Sequence, residues 1–347
     1  MEPTSLKDRL LVSALPAEER ENGRRLLHAL GLVEAKLKRV EDELRHRTAS
    51  PVPTISLIGE YLVESGGKRI RPALLLLASR LLGYEGETDV RYAAVVELIH
   101  TATLVHDDII DDAAVRRGRA SVNRRWGNEL TVLFGDYLYM RSMEIALGEG
   151  DLRVLKLLSD VTLEMTEGEI IASEKRGSVD LTLEGYLDIV RRKTALLFAA
   201  ACRIPSFLIP LGNATGETLW RFGLALGTAF QLQDDLLDYT ATEEDLGKPV
   251  LSDLREGKLT LPLILCLPDA TRAERRTIEK VAREESFDST SPETILEIVT
   301  RLRAVERART MVEKYAEEAH RLVGDLPDGD ARDALLLAAE YAATRRK

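Results

Sequence analysis

VVELIHTATLVHDDIIDD, residues 95–112, is the stretch that decides the fold. Val95, Leu98, Ile99 and Ala102 recur at the spacing of one helix face. The run then turns acidic, so it reads as a helix with carboxylates at its C-terminal end. Asp107 and Asp111 lie four residues apart and share a face, with Asp108 about 100° around from Asp107. Carboxylates crowded there repel each other and oppose the helix dipole unless a cation neutralises them.

The same period extends outward in both directions. Leu37, Val40 and Leu44 form one stripe, and Ala73 to Leu77 is apolar on all sides, as in a helix at the centre of a bundle. Nowhere do β-branched and polar residues alternate over a strand's length. The expected fold is all-α, a helical bundle of roughly a dozen helices with short loops and no sheet. Gly66-Gly67 interrupts the pattern before Pro72, and Ser291-Pro292 reads as an N-cap followed by Pro at the first helical position. One long helix should run from there to Gly324. Residues 284–290 are the best linker. Residues 1–30 read as an N-terminal arm and 31–347 as a single domain.

Composition narrows the classes. Of 347 residues, 31% are charged and 45% hydrophobic, which excludes a disordered chain. The net charge of -10 argues against a nucleic-acid partner. Cys202 and Cys266 are too few for a disulfide framework. The charged first twenty residues carry no signal-peptide pattern, so a cytoplasmic protein is expected. Residues 194–211, interrupted by Arg203, Pro205 and Pro210, read as buried core, not a membrane span.

A single acidic cluster is as readily a solvated helix end as a metal site. FQLQDDLLDY, residues 230–239, supplies a second copy with the same spacing: Asp234 and Asp238 on one face, Asp235 beside them. The preceding Phe222 to Phe230 is apolar and rich in small residues, which buries this helix. Unpaired carboxylates on buried helices cost several kcal/mol each. Two clusters binding two or three Mg²⁺ ions and a diphosphate would remove that cost, because Mg²⁺ favours hard oxygen ligands shared with phosphates.

Cations are concentrated in GGKRIRP, residues 66–72, and at Arg116-Arg117-Gly118. Lys68, Arg71, Arg116 and Arg117 read as phosphate contacts, since guanidinium groups grip phosphate oxygens in pairs. Arg119, Arg124 and Arg125 read as salt-bridge partners. The Gly-Gly-Lys-Arg run lacks the spacing of a P-loop. No Ser/His/Asp or Cys/His arrangement is apparent. His100 lies two turns before Asp107 on the same face, although a histidine on so apolar a helix is more often a core residue than a ligand contact; His106 reads as structural, and Tyr239 as a cap on the second cluster or simple packing.

These segments, with HTATLVHDDIIDDAAVRRG (100–118), SVNRRWGNELTVLFGDYL (121–138), RRKTALLF (191–198) and EGKLTLP (256–262), resemble the trans-isoprenyl diphosphate synthase family in order and spacing. The resemblance covers about residues 33–345. It implies the isoprenoid synthase fold, an antiparallel all-α bundle around a deep apolar cavity, usually a homodimer, using Mg²⁺. Asp107, Asp111 and Asp234 would ligate the metal, with Asp108, Asp235 and Asp238 supporting them. Arg116, Lys193 and Lys248, with Lys258 nearby, would bind an allylic diphosphate. Lys68, Arg71, His100 and Arg117 would bind isopentenyl diphosphate, and Thr194 and Gln231 would face the developing carbocation. Three places depart from the family pattern: Ala172 where Gln is frequent, Arg203-Ile204-Pro205-Ser206, and Leu251 where a glycine is usual.

Product length should follow from what blocks the cavity. Short-chain relatives carry bulky aromatics four or five residues before the first aspartate, whereas this chain has Thr103 and Ala102, with Ile99 below. The expected product is longer than twenty carbons, in the range of quinone side chains. The alternatives are a farnesyl or geranylgeranyl diphosphate synthase, a terpene cyclase, or a non-catalytic subunit of a heteromeric synthase. Cyclases mix Asn, Ser or Thr with Glu at their second metal site, and such subunits typically lose a cluster. Membrane contact is expected to be peripheral at most.

Overall fold

The computed structural model describes residues 28–210, 213–241 and 249–345. All but the last three residues of the expected arm lie outside them. The chain divides into two compact units: Met1–Ser159 with Ala200–Trp220 and Leu322–Ala338, and Asp160–Ala199 with Arg221–Arg321 and Ala339–Lys347.

In the first unit, Glu34–Thr48, Pro53–Glu64, Ile70–Leu81, Thr88–Ile110 and Asn128–Gly148 are helices. Ile70–Leu81 is buried on every side from Pro72 to Ser79, as its unbroken apolar run requires. Each fully buried leucine there contributes about 1.5–3 kcal/mol of burial. Thr88–Ile110 packs along Asn128–Gly148, and Gly135 permits the approach: a Cβ there would meet the His106 ring. His106 Nε2 lies 3.2 Å from the Val132 carbonyl, which makes His106 a packing residue.

Two expectations about secondary structure need correction. Val115–Arg116 and Arg119–Ala120 pair as a two-stranded antiparallel ribbon, turned by Arg117 and Gly118, both with positive φ. That is the backbone of a tight hairpin, and the Gly in Arg-Arg-Gly was its local signal. The helix expected after Ser291 is two helices, Pro292–Arg301 and Ala304–Gly324, separated at Arg303 (φ 52°). Ile295, Ile298 and Val299 reach the same core as Ala304, Ala308 and Val312. A straight helix could not bury both sets on one face, and the break re-phases them.

The second unit holds that core. Ser291 caps its helix through the Thr294 N–H, as expected. Gly223 and Gly227 let the helix Asn213–Thr240 press against the backbone of Ala195 to Ala199; a Cβ on Gly223 would lie 2.5 Å from Ala199 Cα. Residues 195–202 are buried throughout, and the helix Leu196–Arg203, which leaves this unit after Ala199, ends before a 3₁₀ turn containing Pro205. Among the described residues, no helix is long and apolar enough to cross a membrane.

Candidate active site

The first unit gathers the first acidic cluster and its cations. Arg69, with φ 50°, precedes the helix Ile70–Leu81. Its guanidinium is buried: it donates to both oxygens of Glu41, at 2.8 and 3.2 Å, and to Glu97 at 2.7 Å. Thus Arg69 anchors the Gly-Gly turn, while Lys68 beside it is exposed and Arg71 partly so. Gly67 also admits the Arg117 guanidinium, which a Cβ would meet at 2.9 Å. His100 faces the same charges. Burial, and then Arg71, Arg117, Arg69 and Arg116, hold its pKa well below the usual imidazole range. It is a neutral ring, able to donate one hydrogen bond without adding charge. The sequence-predicted set Arg71, His100 and Arg117 therefore shares one neighbourhood.

The hairpin aims Arg116 at Asp108. Arg116 Nε and Nη2 lie 2.7 and 2.6 Å from Asp108 Oδ1, and Asp108 is 2% exposed. Burial raises the Asp108 pKa and Arg116 opposes that rise. Asp107 and Asp111 are partly exposed, and the Asp111 N–H donates to the Asp107 carbonyl at 2.8 Å, which keeps the turn helical between them. Arg124 pairs with Asp112 at 3.0 Å and Arg119 with Glu64 at 3.6 Å. Arg125 corrects its expectation: its guanidinium stacks 4.6 Å from the rings of Tyr61 and Trp126.

The second unit carries the other cluster. Lys193 and Thr194 sit on a π-helical turn, Arg191–Ala195, inserted between two α-helical segments. Lys193 Nζ pairs with Glu169 at 2.6 Å. Thr194 Oγ1 donates to Gln231 Oε1 at 2.9 Å, and Gln231 Nε2 donates to Asp235 Oδ1 at 2.8 Å. Tyr186 donates its hydroxyl proton to the other Asp235 oxygen. Asp235 is 4% exposed, and burial together with the charges of Asp253 and Asp234 pushes its pKa up to about 8. Asp238, 1% exposed, accepts from Ser252 N and Oγ and from Asp253 N, at 3.2, 2.7 and 3.1 Å, and so holds the start of Ser252–Arg255. Leu251 just before it adopts φ 57° with its side chain fully buried. A left-handed leucine costs about 1–2 kcal/mol, which its burial offsets at about 1.5–3 kcal/mol. Tyr239 bonds Thr260 at 3.0 Å, and Lys258 pairs with Glu256 at 2.8 Å. Lys248 lies outside the described residues.

The six aspartates thus differ in kind. Asp108, Asp235 and Asp238 are buried, whereas Asp107, Asp111 and Asp234 keep partial exposure. Among the described residues, no three His, Cys, Asp or Glu side chains converge into a ready-made metal site. The exposed carboxylates nevertheless match the oxygen chemistry of a hard divalent cation that is completed by phosphate and water.

Arg69, Tyr186 and Arg345 were missed as site residues. Tyr186 had one sequence signal, its position two helical turns before Lys193. Tyr186→Phe is expected to cost about 1–3 kcal/mol of stability, because one buried Asp235 oxygen loses its donor. Chemical denaturation checks this.

A sequence profile of the family described as Polyprenyl synthetase matches residues 52–299. Octaprenyl diphosphate synthase of Escherichia coli is 40% identical over 296 residues, covering 85% of this chain and 91% of its own. Heptaprenyl diphosphate synthase component 2 of Geobacillus stearothermophilus is 37% identical over 309 residues, covering 89% and 95%. The crystal structure of a polyprenyl synthase from Caulobacter crescentus, complexed with calcium and isoprenyl diphosphate, superposes with a TM-score of 0.87 at 34% identity, covering 93% of this chain and 98% of that one.

Proposed function

The chain belongs to the polyprenyl synthetase family, and from that premise we propose that it is a Mg²⁺-dependent prenyltransferase that adds isopentenyl diphosphate to an allylic diphosphate, giving trans-polyprenyl diphosphates longer than twenty carbons. The observation that carries this reading is the division of the two clusters into exposed and buried carboxylates. Asp107, Asp111 and Asp234 would hold the metal, and their buried neighbours Asp108, Asp235 and Asp238 fix the helices that present them.

Mg²⁺, when bound, neutralises the diphosphate so that it can leave. Lys193, Arg116, Lys248 and Lys258 bind the allylic diphosphate and take up the charge that grows as its C–O bond ionises. Lys68, Arg71, Arg117 and neutral His100 grip isopentenyl diphosphate. Thr194 and Gln231, oriented through Asp235 and Tyr186, turn oxygen dipoles toward the allylic cation. Apolar walls exclude the water that would trap it. The double bond of isopentenyl diphosphate attacks, and the proton lost from its second carbon passes to the released diphosphate. Ala102, Thr103 and Ile99 set product length. The active form is a homodimer, a reading supported by Leu130, Leu133, Met140 and Leu147, exposed apolar residues along one face of Asn128–Gly148. We place the reaction in the cytoplasm, with at most peripheral membrane contact for its lipid product.

The test is to incubate the purified chain with isopentenyl and farnesyl diphosphates and size the dephosphorylated alcohols. A Mg²⁺-dependent ladder extending past twenty carbons, abolished by EDTA, is expected. Products stopping at fifteen or twenty carbons would overturn the length. No elongation would overturn independent activity and point to the need for a second subunit, as the name of the heptaprenyl relative suggests for that protein.

A further inference from the structure

Arg345, just past the helix Asp330–Thr344, is fastened to the second aspartate cluster by four contacts. Its Nη2 donates to Asp234 Oδ1 at 2.6 Å and to the Phe230 carbonyl at 2.7 Å. Its guanidinium lies 3.7 Å from the centre of the Phe230 ring. Its own carbonyl accepts from Gln233 Nε2 at 2.9 Å. The Arg345 side chain is 3% exposed, whereas that of Asp234 is 43% exposed.

This asymmetry fixes which partner can move. Arg345 Nε is buried with no hydrogen-bond partner among the described residues, so the guanidinium already forgoes one bond. Losing Asp234 as well would leave a buried cation held only by a carbonyl and a ring, which is strongly unfavourable. Asp234, by contrast, keeps its side chain 43% exposed while one oxygen is held. We infer that Arg345 is a positioning residue for metal binding: it holds Asp234 through Oδ1 and leaves Oδ2 as the single oxygen directed to the cation. The pairing persists in the loaded enzyme and does not compete with metal. The inference rests on the Mg²⁺-dependent reading above, and it makes Arg345 part of the site.

The test uses the full chain, Mn²⁺ as the metal and inorganic diphosphate as the anion, with free Mn²⁺ counted by electron paramagnetic resonance. Arg345→Gln is expected to weaken Mn²⁺ binding by about 10–100-fold, the range for loss of a group that orients a metal ligand. Arg345→Lys, which keeps the charge but loses the planar fork, should fall between the two. The KM for isopentenyl diphosphate should not change in either variant, since that substrate is assigned to Lys68, Arg71, His100 and Arg117. Wild-type Mn²⁺ affinity in Arg345→Gln would overturn the inference, and so would tighter binding, the mark of an arginine that blocks the metal. Should the glutamine variant fail to fold, the lysine variant decides: weakened Mn²⁺ binding supports the positioning role, and unchanged binding overturns it. Wild-type protein that binds no Mn²⁺ in the presence of diphosphate would overturn the functional reading itself, and this inference with it.

Discussion

Asp107→Asn is expected to lower kcat by about a thousandfold or more at saturating Mg²⁺ while changing the melting temperature little. A thousandfold corresponds to about 4 kcal/mol of lost transition-state stabilisation, within the range for a metal Lewis acid. Its stability effect is small because Asp107 is partly exposed in the last turn of Thr88–Ile110, where relief of a charge that opposes the helix dipole offsets the loss of a partly solvated contact. Asp108→Asn, one residue away, separates the two effects. Asp108 is buried against Arg116, so its neutral variant leaves that guanidinium without its anion. A loss of about 1–3 kcal/mol of stability is expected there, the cost of a buried group losing its charged hydrogen-bond partner while the 36% exposed Arg116 is taken up by water, read as a drop in melting temperature. Equal melting temperatures for the two variants would show that the exposed and buried carboxylates do not differ in the way the structure divides them.

Ala102→Phe is expected to move the main product from beyond twenty carbons to fifteen or twenty, read by chromatography of the dephosphorylated alcohols. Ala102 lies on Thr88–Ile110 between Leu98 and Val105 and is 4% exposed. One helical turn rises about 5.4 Å, comparable with one isoprene unit, so a ring placed one turn before the aspartates shortens the available depth by units of five carbons. Overpacking at a buried alanine costs about 1–3 kcal/mol, so the variant is compared at a temperature where its circular dichroism matches that of the wild type. Thr103→Phe, at a partly exposed position, should act in the same direction with less cost to stability. Unchanged product length in both variants would remove this face as the wall.

The sequence carried the helical architecture because each helix repeats its period locally: Leu37, Val40 and Leu44 are all buried, as their spacing required. It carried the aspartate clusters for the same reason, since four-residue spacing is a property of a single helix. Features that depend on partners distant in the chain were not legible. Arg69 stood in a basic run indistinguishable from Lys68 and Arg71, and only Glu41 and Glu97, each 28 residues away, make it an anchor. Arg345 meets Asp234 from over a hundred residues away, and nothing near Thr344 signals a metal ligand's partner. The hairpin at Arg117-Gly118 was marked in the sequence only by its glycine, because two-residue strands leave no alternation to read. The break at Arg303 was half legible. The slip in phase between Val299 and Ala304 was in the sequence, but no Gly or Pro marked the turn, and a positive φ at arginine is held in place by the core on both sides.

A double-mutant cycle in kcat/KM across the two clusters tests the account most directly, using Asp107→Asn, Asp234→Asn and the pair together with isopentenyl and farnesyl diphosphates. If both clusters hold the metal of one departing diphosphate, the first substitution already disables the unit, and the double variant should be at most about tenfold worse than the poorer single one. Losses that multiply, so that the double variant falls by the product of the two single effects, would show that the clusters act separately and would contradict the account.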